Sequence, residues 1–147
     1  MDVDFIMKLI SFILMASLTT VVQSESLDIY GSDITMKSNC TLMAGDISIT
    51  LALENAANCS FINHSRTNIP HLVRIKNNYI VLIESTKNKD GKCISNYTAI
   101  SVKPNGEVIA SEKSKRSGSC NIGREEKVFK YFAHKIESMK SKGITKQ

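Results

Sequence analysis

The stretch LVRIKNNYIVLI, residues 72–83, decides the fold. Leu72 to Ile75 and Tyr79 to Ile83 are runs rich in β-branched residues, which suit a pleated, half-buried surface. Asn77-Asn78 between them tolerates positive φ, so the runs are read as an antiparallel hairpin. Beyond it, the polar segment Lys87 to Lys92 is expected to turn the chain into a third run, Cys93 to Val102, with Ile94, Asn96, Thr98 and Ile100 on one face. Pro104-Asn105-Gly106 supplies the next turn, Pro presetting φ and Asn-Gly accepting a positive one, and Glu107 to Ser111 is the returning strand.

Past that strand the apolar period changes from two to three and four. Val128, Phe129, Phe132, Ile136 and Met139 fall on one stripe of a helix over 124–139, with Tyr131 beside it and Glu125, Lys130, Lys135 and Lys140 facing away. Glu125 and Glu126 in the first turn and lysines in the last suit the helix dipole. On the N-terminal side, Ile47, Ile49, Leu51 and Leu53 alternate with polar or small residues as a half-buried strand, and Leu27 to Tyr30 and Asp33 to Met36 are read as extended. Asn55 to Pro70 has little regular pattern and is read as a long connection. The expected fold class is α+β: an antiparallel β-meander of about four to six strands with one C-terminal amphipathic helix to cover it.

The chain has 147 residues, 42% hydrophobic and 22% charged, which suits one packed domain and not a disordered segment. Its start reads differently. Lys8 precedes an apolar run from Leu9 to Leu18, and a small polar region ends at Val22-Gln23-Ser24, the order of a secretory signal peptide. The run is shorter than the roughly 20 residues a spanning helix needs, so no transmembrane anchor is expected. Residues 1–24 are assigned to the signal peptide and 25–147 to a single exported domain. Asp2 and Asp4 do not suit a positive leader, and a start of translation at Met7 would leave them out. No cysteine precedes Cys40, which argues against a lipoprotein.

Four cysteines, Cys40, Cys59, Cys93 and Cys120, fall in the exported part, and an even number in a small secreted domain points to two disulfides. Of the three pairings, Cys40 with Cys59 and Cys93 with Cys120 is preferred, because each bridge then brackets its own run of turns. Zinc binding lacks support: no close Cys-x-x-Cys or His-x-x-x-His spacing occurs.

Loss of residues 1–24 removes Lys8 from 19 basic residues and Asp2 and Asp4 from 14 acidic ones, leaving 18 against 12 and a net charge of +6. A basic exported domain favours anionic partners, either an acidic protein cleft or anionic envelope polymers. Nucleic acid is not expected, since no stretch is densely basic and aromatic residues make up 6%. The segment Lys113-Ser114-Lys115-Arg116-Ser117-Gly118-Ser119-Cys120 stands out. It joins strand to helix, concentrates positive charge and is tethered at Cys120, and a loop so held loses little entropy on docking. Lys113, Lys115, Arg116, Ser117 and Gly118 are therefore the expected partner-binding residues. Arg116 can pair with a carboxylate through two hydrogen bonds, and Ser117-Gly118 allow close approach. The plainer reading is a solvated charged loop.

Catalysis has weaker support. His64 and His71 lie near Ser60 and Ser65, yet no Gly-x-Ser-x-Gly elbow surrounds either serine, and His134 reads as an ordinary helix-surface histidine. Glu84, Asp90 and Glu107 could supply paired carboxylates, but nothing orders them. Gly118 and Gly123 lack phosphate-loop spacing, so no cofactor is expected. Asn39, Asn58, Asn63 and Asn96 begin Asn-x-Ser/Thr triplets, relevant only in a host that glycosylates exported proteins. The general make-up resembles small periplasmic inhibitor or immunity proteins in architecture alone. The expected function is thus a periplasmic or secreted binding protein that blocks a cell-wall-directed enzyme or toxin. The alternatives are an envelope factor or effector binding anionic surfaces, and a small secreted hydrolase using His64 or His71.

Overall fold

The computed structural model describes residues 24–37, 39–54, 57–120 and 125–143. Apart from Ser24, the proposed signal peptide lies outside these residues. Among the described residues the fold is α+β and antiparallel, with ten strands in two sheets and one helix.

The smaller sheet is a consecutive run of four strands, β1 (Glu25–Ile29), β2 (Ser32–Met36), β3 (Leu42–Ala44) and β4 (Ile47–Ile49). The larger sheet is built on two long strands, β7 (Asn78–Lys89) and β8 (Lys92–Val102), paired from Tyr79↔Val102 to Lys89↔Lys92. Short strands flank them. β5 (Cys59–Phe61) and β6 (Leu72–Ile75) pair with β7, while β9 (Val108–Ala110) and β10 (Lys115–Ser117) pair with β8. Helix α1 (Glu126–Gly143) follows.

Alternation along β7 and β8 creates two cores. Val81, Ile83, Ile100 and Val102 face the smaller sheet and meet Ile29, Ile34, Met36 and Leu42. On the opposite face, Ile80, Leu82, Tyr97 and Ala99 meet Phe129, Phe132 and Ala133 of α1. The molecule is therefore three layers, small sheet, large sheet and helix, and the helix buries its apolar stripe on the hairpin as its period requires. The disulfide Cys40–Cys59 joins the two sheets, and Cys93–Cys120 ties β8 to the chain after β10. Both bridges are the preferred pairing. At the far end of the sandwich Ser32 Oγ donates to Gly106 O. Gly106 has φ +84°, and a Cβ there would lie 2.8 Å from Ser32 Oγ, so both backbone and space call for glycine.

Several boundaries differ from the periodicity reading. Asn55 to Pro70 contains β5, whose Cys59-Ser60-Phe61 is too short to display a period. The Leu72–Ile83 hairpin turns at Lys76-Asn77, with Ile75 opposite Asn78, and Lys76 carries the positive φ. The polar segment Lys87 to Lys92 is mostly strand, and its turn is only Asp90-Gly91, with φ 52° and 73° as a two-residue hairpin loop requires. Polarity there reflects an end of the ladder that no core covers.

Candidate functional site

The segment after β9 is not a free loop. Polar side chains inside β8 hold it: Thr98 Oγ1 donates to Lys113 O at 2.8 Å, and Asn96 Nδ2 donates to Lys115 O at 3.2 Å. Ser111 Oγ accepts the Lys113 N–H at 3.0 Å. These bonds seat β10 on β8 as a short edge strand, with Cys120 anchored beyond it. Thr98 and Asn96, noted as one strand face, carried the signal for this strand.

Alternation then divides the expected binding residues between two faces. Lys115 lies opposite Tyr97 and Ser117 opposite Ser95, on the helix side, whereas Arg116 lies opposite Asn96 on the other side. Lys115 Nζ sits 3.9 Å from the Tyr131 ring centroid, and Lys135 Nζ sits 5.5 Å from the same ring. Lys113 joins them through a shallow cleft lined by Glu112, Lys113, Lys135, Ser138 and Met139. Ammonium groups over the half-buried Tyr131 ring gain about 0.5–1 kcal/mol each, which orders the cluster, and Glu112 is the carboxylate that lines the same cleft. No ion pair to Lys113, Lys115 or Lys135 occurs among the described residues.

Arg116 instead pairs with Glu54. Both side chains are largely exposed, 72% and 55%, so the pair contributes on the order of 0–1 kcal/mol. Ser117 is half-buried beside Ser119, whose N–H it accepts at 3.4 Å, and Gly118 is exposed with open space where a Cβ would stand. The structure thus brings Lys113 and Lys115 together, adds Tyr131 and Lys135 from α1, and sends Arg116 elsewhere. Tyr131 was visible only as a neighbour of the helix stripe and Lys135 only as a residue facing away from it, because the pairing that unites them with β10 is long-range.

His64 and His71 do meet, with ring centroids 4.8 Å apart and edge-on, and His71 also packs on Phe129 at 4.9 Å. His64 Nδ1 accepts the Arg66 N–H at 3.2 Å. Burial, reinforced by the nearby His64, holds His71 below the usual histidine range. Neither Ser60 nor Ser65 is bonded to either ring among the described residues, so the arrangement lacks the oriented nucleophile that acyl transfer needs. His134 is exposed. The carboxylates also stand apart: Glu84 is buried at mid-strand, Asp90 is at one tip of the β7–β8 hairpin, and Glu107 follows the opposite end, bonded to Lys103. With a rise of about 3.4 Å per residue, the ends of β8 are some 30 Å apart, well beyond the separation paired glycosidase acids use.

Among the described residues no group of three or more His, Cys, Asp or Glu is arranged to hold a metal ion, and no helix is long and apolar enough to cross a membrane. Of the Asn-x-Ser/Thr triplets, Asn39 and Asn58 are exposed beside the Cys40–Cys59 bridge, while Asn96 is occupied by its bonds to β10. Asn63 donates to Asn68. Compared with protein-family models, curated proteins and solved structures, the chain finds no match.

Proposed function

We propose that the chain is an exported binding protein that docks an acidic protein partner through Lys113, Lys115 and Lys135 around Tyr131. The observation that carries this reading is the convergence of Lys115 and Lys135 on one ring with no carboxylate bound to either among the described residues. Like charges held together repel, and a partner's carboxylates would relieve that repulsion as the complex forms. Tyr131 supplies a rigid aromatic centre of the kind that dominates interface energies. Two disulfides suit an oxidising compartment, and the Leu9 to Leu18 run suits export to one. Within this reading the role is that of an inhibitor or immunity protein blocking a cell-wall-directed enzyme or toxin in the periplasm or outside the cell.

Binding to anionic envelope polymers uses the same charges but weights them differently. Captured partner is to be compared for the native protein, the double variant Lys115→Ala/Lys135→Ala, and Lys37→Ala, which removes an exposed charge just after β2. A docked protein partner predicts an affinity loss of about tenfold or more in the double variant and almost none in Lys37→Ala. Equal losses, with a steep decline in salt, would favour the polymer reading. Full affinity in the double variant would remove the cluster from the function.

A further inference from the structure

A second cationic feature lies on the opposite face of the large sheet, a cleft of ≈ 180 Å³. Strand register explains its position. On that face Val81, Ile83, Ile100 and Val102 enter the core, while the rows nearer the hairpin tip line the cleft. Ser85 lies opposite Asn96 with Arg116 beyond it, then Lys87 opposite Ile94, then Lys89 opposite Lys92. Lys89 and Lys92 are like charges placed directly across a ladder, an arrangement that opposes pairing unless an anion is near.

Three cations, Lys87, Lys89 and Arg116, line the cleft, and among the described residues the one carboxylate lining it is that of Glu54. The Glu54 main-chain N–H donates to Asn96 Oδ1 at 2.9 Å, and Asn96 Nδ2 donates to Lys115 O at 3.2 Å. One side chain therefore fixes Glu54 and the strand of Arg116 opposite each other, and the two side chains pair. Exposed pairs of this kind are weak and readily exchanged for another carboxylate.

We propose that this cleft binds a small dicarboxylic acid. One carboxylate takes Arg116 from Glu54, and the other lies between Lys87 and Lys89, so Glu54 acts as a built-in competitor. The planar guanidinium matches a carboxylate in two parallel hydrogen bonds, while the lysines act as adjustable point charges. The cleft is smaller than the roughly 300–1,000 Å³ of drug-sized sites, which restricts the ligand to a few carbons between its acids. These residues are not those of the Tyr131 cluster, so this site stands or falls separately from the docking surface.

The test is an NMR titration of the isotope-labelled protein with glutarate, and in a separate arm with inorganic phosphate. Glutarate should give saturable shifts at the Lys87, Lys89, Asn96 and Arg116 amides. Removing the competitor in Glu54→Gln should tighten glutarate about two- to sixfold, the gain expected when an exposed pair of this strength no longer occupies Arg116. Arg116→Lys keeps the charge but loses the fork, and should weaken glutarate about tenfold. Lys115→Ala/Lys135→Ala should leave glutarate binding intact. No saturable shift in either the native protein or Glu54→Gln up to about 50 mM would overturn the site, since it would put affinity below any useful range. Phosphate binding as tightly, with the same gain in Glu54→Gln, would overturn the dicarboxylate assignment.

Discussion

His71 illustrates how one side chain can couple stability to pH. Its ring is wedged between His64 and Phe129, and burial, followed by His64, lowers its pKa from the ordinary 6.5. Above pH 6.5 neither folded nor unfolded chain holds the proton, and the full stability is present. As the pH falls below 6.5 the unfolded chain takes up the proton first, so stability declines until folded His71 is protonated as well. Urea unfolding at about pH 8 and about pH 5 should therefore show a drop in the native protein that shrinks in His71→Phe. An equal drop in both would place the acid sensitivity elsewhere.

At the scale of elements, β10 depends on its attachments more than on its own sequence. It is three residues long, and its seat is made by Asn96, Thr98 and the Cys93–Cys120 bridge. Replacing both cysteines of that bridge by serine should speed hydrogen exchange at Lys115 to Ser117 far more than within β7. Replacing Cys40 and Cys59 should instead lower global stability by about 3 kcal/mol, since that bridge closes a loop between the sheets. Denaturant melts together with residue-resolved exchange separate the two effects. The long β7–β8 hairpin, the β1–β2 pair and α1 were legible because their apolar periods run over enough residues to be recognised. Two bridges were legible from the even cysteine count, whereas their pairing was a preference among three that the structure bears out. β3, β5 and β10 were not legible, because each is three residues long and lacks the flanking signal, a longer alternation or a Pro-Asn-Gly turn, that marked the equally short β4 and β9. For the same reason Lys113 and Lys115 could be singled out as charge, while their meeting with Tyr131 and Lys135, and the diversion of Arg116 to Glu54, required the register of β10 on β8.

The whole molecule is stabilised by burying both faces of one hairpin. Phe129 and Phe132 are fully buried between α1 and the large sheet, whereas the other core lies between the sheets. Phe132→Ala should cost about 3–5 kcal/mol in chemical unfolding, a large share of the stability of a domain this size. Because α1 also carries Tyr131 and Lys135, loosening it should weaken partner binding even though Phe132 never reaches the surface. Three layers thus place a cationic cluster at the seam of helix and edge strand, and the docking proposal depends on that seam. Hydrogen–deuterium exchange of the complex with its captured partner tests it most directly. The account predicts new protection confined to 113–117 and 131–139; protection instead over the smaller sheet, 25–49, with the seam unchanged, would contradict it.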